Sequence, residues 1–155
     1  MNLHITQMPE MRVAAVRHVG SYNQIGRAFE QLGALAGPAG LFTRSGAKMI
    51  AVYYDDPQST PAAQLRSDAG IVVGNDTPVP KGLDERRVPA GTYAKAEHIG
   101  PYEELPDVWA RLKRDGVPAS GHHIHPDAAS YEIYLNTPMD TPKDKLHTEL
   151  YLQLK

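Results

Sequence analysis

The chain contains no cysteine, which excludes a disulfide scaffold, a thiolate metal site and a cysteine nucleophile together. It has no apolar run near the roughly 18–20 residues that a membrane-spanning helix requires. The opening stretch, MNLHITQMPEMR, lacks the basic start and continuous apolar core of a secretory signal. Neither sign of charge dominates. Lys and Arg number 16 against 18 Asp and Glu, a formal net charge of −2, so nothing draws the chain to nucleic acid in general. Helix-turn-helix and zinc-finger patterns are missing, as are a phosphate-cradling glycine loop, a zinc-protease motif and a nucleophile elbow. These absences point to a cytoplasmic protein with no cofactor, no direct nucleic-acid binding and no membrane partner.

What is present is ordinary in amount and unusual in arrangement. Apolar residues make up 41% and charged residues 22%, the balance of a soluble globular protein. A length of 155 residues suffices for one domain, or for two small modules sharing a core.

HVGSY at 18–22 returns as HIGPY at 98–102. At this offset of 80, Ile25 aligns with Leu105, Phe29 with Trp109 and Leu32 with Leu112, apolar positions four and three apart as on a helix. After a loop the offset becomes 81, pairing Tyr53 with Tyr134, Pro57 with Pro138, Thr60 with Thr141, Pro61 with Pro142, Leu65 with Leu146 and Asp68 with Glu149. A register held over both halves is the mark of an internal duplication. Repeat 1 covers about residues 1–75 and repeat 2 about 83–155, joined by GNDTPVPKG at 74–82.

Each repeat reads strand–helix–strand–strand. RVAAVRH and TYAKAEH are strands, followed by a Gly-containing turn and helices over roughly 22–36 and 102–115. KMIAVYYD and SYEIYLN are strands, and SDAGIVV and TELYLQLK close the repeats. The fold class is therefore α+β, a duplicated βαββ arrangement forming one domain over 1–155. Small sheets are marginal alone, so the two are expected to join about a pseudo-two-fold axis. Both helices then cover one face of an antiparallel sheet and leave a ligand cleft on the other.

Alternation along the strands selects residues for that open face. Ala51 and Tyr53 match Glu132 and Tyr134, which sets one carboxylate opposite a small alanine among tyrosines. Tyr93 on the preceding strand joins the set. Trp109 falls on the buried helix stripe, with an edge in reach of the cleft. Aromatic faces attract cations, and a partly desolvated carboxylate seeks a positive partner. The ligand that fits Glu132, Tyr53, Tyr134, Tyr93, Ala51 and Trp109 is a flat, lipophilic, positively charged small molecule. The plainer alternative makes these residues the solvated half of an antiparallel sheet.

The two turns, VYYDDP with LRSD (52–68), and YEIYLN (131–136) resemble the GyrI-like, or AraC effector-binding, small-molecule-binding domain. The resemblance runs from about Met11 to the C-terminus. It implies a duplicated βαββ fold and a ligand cleft whose acidic residue is Glu132. It also implies, as alternatives, a hydrolase of cyclopropane-bearing genotoxins using Glu132 with Tyr53 or Tyr134, or a partner of DNA gyrase or of a transcription regulator. The chain shows no DNA-binding module, so a direct transcription-factor role is not expected; the expected role is to sequester or sense drugs or toxins, with the hydrolase as the alternative.

Two other groups invite chemistry. In GHHIHP (121–126), His123 and His125 are two apart and could share an ion on a strand, but no carboxylate supports them, and the segment is assigned to a loop without metal. His18 and His98 end the first strands as a matched pair, and each is expected to satisfy a turn backbone group rather than to act as a base.

Overall fold

The turn that repeats in sequence is built the same way twice. The computed structural model describes residues 2–155. In it Gly20 and Gly100 have φ of 131° and 143°, a region that side chains with a Cβ rarely enter. Their N–H groups donate to the carbonyls of Leu65 (2.7 Å) and Leu146 (2.8 Å). His18 places Nε2 2.9 Å from the Ser21 carbonyl oxygen, as expected. His98 differs: its Nε2 lies 3.2 Å from Glu104 Oε1, a carboxylate rather than a backbone group.

Around these turns the elements run β1 (Leu3–Met8), β2 (Met11–Val19), α1 (Gly26–Ala36), β3 (Lys48–Tyr53), β4 (Arg66–Val73), β5 (Asp84–Val88), β6 (Gly91–Ile99), α2 (Leu105–Arg111), β7 (Ser130–Tyr134) and β8 (His147–Gln153). The strand–helix–strand–strand order is present in both halves. Each half also begins with a strand that the hydrophobic pattern did not show. In β5 the reason is plain, since four of its five residues are charged.

The leading strands are exchanged. β1 pairs antiparallel with β6, placing Ile5 opposite Ala94, whereas β5 pairs antiparallel with β2, placing Arg86 opposite Val13. The chain accordingly forms two compact units. One is Glu10–Pro89; the other joins the segment ending at Pro9 to Ala90–Lys155. Both crossings follow a proline, which lacks the N–H needed to continue a ladder. The N-terminal unit has strand order β3-β4-β2-β5 and the C-terminal unit β1-β6-β8-β7, all antiparallel. The fold is α+β and antiparallel, as the sequence implies, with eight strands where the sequence pattern showed six.

Each helix packs on one face of its own sheet. Ala28, Leu32 and Ala36 of α1 sit on Ala14, Val16, Ala69 and Ile71. Leu105 and Val108 of α2, with Leu112, sit on Ala94, Ala96, Leu150 and Leu152. Alanines in the first strands let the helices approach closely. Phe29 and Trp109 lie at the side of these clusters and are only partly buried. α2 continues into a π-helical turn, Leu112–Gly116. Its i→i+5 bonding keeps Leu112 and Val117, five residues apart, both buried against the same core. No helix among the described residues is long and apolar enough to cross a membrane.

The sheet faces away from the helices carry buried polar networks. In the C-terminal unit Tyr131 stacks on Tyr151 (centroids 4.9 Å apart, 18° between planes), and Tyr93 meets Tyr131 edge-on at 5.3 Å. Lys95 pairs with Glu149 at 2.8 Å, and Tyr151 Oη donates to Glu149 Oε1 at 3.1 Å. In the N-terminal unit the buried Asp68 accepts from Arg17 Nε (2.9 Å), Arg86 Nε (3.1 Å) and the Tyr54 hydroxyl.

Two measurable consequences follow from this packing. A Cβ added at Gly70 would fall on Val13 Cγ1, inside contact distance, and 3.1 Å from the Ala14 carbonyl oxygen. Gly70→Ala is expected to cost about 1–3 kcal/mol by overpacking, read as a lower urea midpoint at unchanged slope. Burial pushes the Tyr93 and Tyr151 phenols up to about 12, and raises Tyr131 further in the same direction. A phenol whose folded pKa exceeds its unfolded value of about 10 stabilises the fold fully below that pH and loses its contribution as pH rises toward the folded value. Stability is therefore expected to fall between about pH 10 and 12, with tyrosinate absorbance appearing in step with unfolding. Full tyrosine ionisation in a still-folded protein would contradict the buried cluster.

Candidate functional site

Along β7 the side chains alternate, so Tyr131 and Ile133 share one face while Glu132 and Tyr134 share the other. The ladder with β8 decides which face is which. Glu132 lies opposite Leu150 and Tyr134 opposite Thr148. Leu150 belongs to the cluster beneath α2, so Glu132 and Tyr134 face the helix. This corrects the open-face placement drawn from the sequence. Alternation within one strand orders its side chains but does not say which side a helix covers; the register does.

Under α2 the Glu132 carboxylate is only 2% exposed. Trp109 Nε1 donates to its Oε2 at 3.3 Å and Tyr134 Oη donates to its Oε1 at 3.1 Å. Both donors are neutral and aromatic. Tyr102, on the turn leading into α2, meets the Tyr134 ring edge-on at 5.5 Å. Its phenol is raised above the ordinary tyrosine value, first by burial and then by the charge of Glu132. Lys113 lies over the outer side of Trp109, 5.9 Å from the ring centroid. A carboxylate held in place by an indole and a phenol, with a further ring beside them, offers a cation both a countercharge and π faces.

The structure brings Glu132, Tyr134 and Trp109 together and adds Tyr102. The signal for Tyr102 was in plain view: it is the second tyrosine of the echoed turn, taken there as a turn residue alone. Ala51 and Tyr53 occupy the matching positions of β3 in the N-terminal unit, opposite Ala69 and Ser67, and so on the side covered by α1. Tyr53 packs on Tyr22 with centroids 4.7 Å apart. Tyr93 stands apart from the set. It is on the far face of its sheet, within the Tyr131–Tyr151 cluster.

The histidine segment is structural in its backbone. Ile124 bridges to Leu154, His125 N–H donates to the Gln153 carbonyl (3.0 Å) and Lys155 N–H to the His123 carbonyl (2.9 Å). His125 Nδ1 accepts from the Asp127 N–H at 3.1 Å, which occupies that ring nitrogen. Among the described residues no three His, Asp or Glu side chains gather as metal ligands.

Comparison with known proteins shows the fold and the family. A DNA gyrase inhibitor of Yersinia enterocolitica is 28% identical over 144 residues, covering 88% of this chain and 87% of the relative. The crystal structure of the EcmrR C-terminal domain superposes with a TM-score of 0.81 at 18% identity, covering 99% of this chain and 97% of that domain. SAV2435 bound to tetraphenylphosphonium superposes with a TM-score of 0.67 at 12% identity, covering 100% and 94%. At such identities the two structures speak for the fold. The family model described as the GyrI-like small molecule binding domain matches residues 1–155, and this chain belongs to that family.

Proposed function

We propose that the chain binds amphipathic organic cations, drugs or toxins among them, and sequesters or senses them through Glu132. One observation supports this above the others. A carboxylate 2% exposed to solvent is held by the indole of Trp109 and the phenol of Tyr134. Burying a carboxylate is costly, and the cost is lowest when hydrogen bonds and an opposite charge meet it. Aromatic walls favour a lipophilic cation over a hydrated ammonium. The fold likeness to a protein solved with tetraphenylphosphonium supports the same ligand class.

Because Glu132 is so little exposed, a ligand reaches it only after a neighbouring side chain moves. Binding therefore carries a reorganisation cost, and affinity depends on how readily Trp109 or Tyr134 gives way. Trp109 is the single tryptophan of the chain, so its fluorescence reports the site directly.

The test uses tetraphenylphosphonium and a neutral triaryl compound of similar size, with titration by Trp109 fluorescence and thermal shift. The cation is expected to raise the melting midpoint in a concentration-dependent way. Glu132→Gln is expected to weaken it at least tenfold, about 1.4 kcal/mol, and to leave the neutral compound unchanged. Equal cation affinity in both proteins would overturn the role given to Glu132. Mass spectrometry of the recovered ligand separates binding from turnover. Inhibition of DNA gyrase that survives Glu132→Gln would assign any such activity to a surface other than this site.

A further inference from the structure

We propose that the outer edge of β1 is a pairing surface for a second copy of this chain. β1 has a strand neighbour on one side only, β6. A strand in that position turns a row of N–H and C=O groups outward, and proteins commonly guard such edges with charge, proline or a bulge. β1 has none of these guards: its six residues, LHITQM, include no charged residue, no proline and no glycine. It is half-buried to exposed throughout, and Ile5 is 41% exposed.

The edge strand of the N-terminal unit shows what a guarded edge looks like in the same protein. β5 carries Asp84, Glu85, Arg86 and Arg87 in succession. Arg86 turns inward to Asp68 at 3.1 Å, Glu85 binds Arg12 at 3.1 Å and Arg87 binds Glu10 at 3.0 Å. Inward-pointing charge and alternating ion pairs are the devices that stop a strand from recruiting another. The contrast between the two edges is therefore one of sequence, not of position.

The occupant is a second copy because β1 is complementary to itself. Leu3, Ile5 and Gln7 point to the face that carries Ala94 and Ala96, while His4, Thr6 and Met8 point to the other. Antiparallel pairing about a two-fold axis through Ile5 keeps these faces aligned. It sets Leu3 against Gln7, His4 against Thr6, and Ile5 against its own counterpart. No like charges meet, and the exposed isoleucines cover each other. Six residues make a small contact, at or below the roughly 1,200 Å² of stable complexes, so the dimer is reversible and concentration-dependent. In the C-terminal unit β7 lies three strands from β1, so each copy keeps its own Glu132 site.

Sedimentation velocity from about 10 μM to about 1 mM, the affinity range of small contacts, is expected to show a monomer–dimer equilibrium. Ile5→Lys and Ile5→Glu are each expected to weaken it more than tenfold, since each sets like charges face to face. An equimolar mixture of the two variants is expected to restore the dimer through opposite charges. Hydrogen exchange on the unmodified protein gives a reading that does not depend on the variants folding: Leu3–Met8 amides should gain protection as concentration rises, while Asp84–Val88 amides should not. A monomer at every concentration, a dimer indifferent to both substitutions, or a monomer that instead captures a free LHITQM peptide would each overturn the proposal.

Discussion

The register between β7 and β8 is the constraint on which the candidate site depends. A slip of one residue would turn Glu132 to the face of Tyr93 and Tyr151 and bring Tyr131 and Ile133 under α2. Two locks oppose that slip. Leu150 and Leu152 are buried beneath α2, so the pairing is fixed by the core. At the strand end, Asn136 Oδ1 accepts the His147 N–H at 2.8 Å, while Leu135 N–H donates to the His147 carbonyl at 3.0 Å. The N-terminal unit uses the same device with a carboxylate. Asp55 Oδ2 accepts the Arg66 N–H at 2.8 Å, and Tyr54 N–H donates to the Arg66 carbonyl at 3.1 Å. A short polar side chain at the end of the third strand therefore holds the register in both units. Leu146 and Leu65, one residue before β8 and β4, take the turn glycine N–H groups, which ties each first strand to the same frame.

Much of this was legible in the sequence because it is written in local spacing. The echoed turn demanded glycine at one position and announced the helix after it. Ile25, Phe29 and Leu32 gave a helical period, although the packed centre falls on Ala28 and Leu32, with Phe29 at the side. What was not legible is non-local. β5 is a strand because β2 accepts it as a partner, and four charged residues in a row give no alternation to read. The exchange of β1 and β5 is a choice between two equivalent partners, and nothing in LHITQM or DERRV names one. The face of Glu132 belongs to the same class. Alternation correctly grouped Glu132 with Tyr134, and correctly kept Tyr131 apart from both. It grouped Tyr93 with them only because the phase between β6 and β7 is set through β8, two ladders away.

Three buried carboxylates show how the chain solves one problem in different ways. Asp68 is met by two guanidinium groups and a phenol, and Glu149 by the Lys95 ammonium and a phenol. Both lie on the sheet faces turned from the helices, where the cations keep contact with water along part of their length. Glu132 lies beneath a helix, and Trp109 and Tyr134 reach it there as neutral donors. Charge against charge in a buried setting fixes a group firmly, because breaking the pair strands an ion. The position that matches Glu132 in the other unit is Ala51, fully buried opposite Ala69, where an unpaired carboxylate would cost several kcal/mol. Two units of like element order thus carry unlike chemistry at the same place, and the difference lies in what the covering helix brings: Trp109 with its indole N–H over Glu132, and Phe29, with no donor at all, at the matching position of α1.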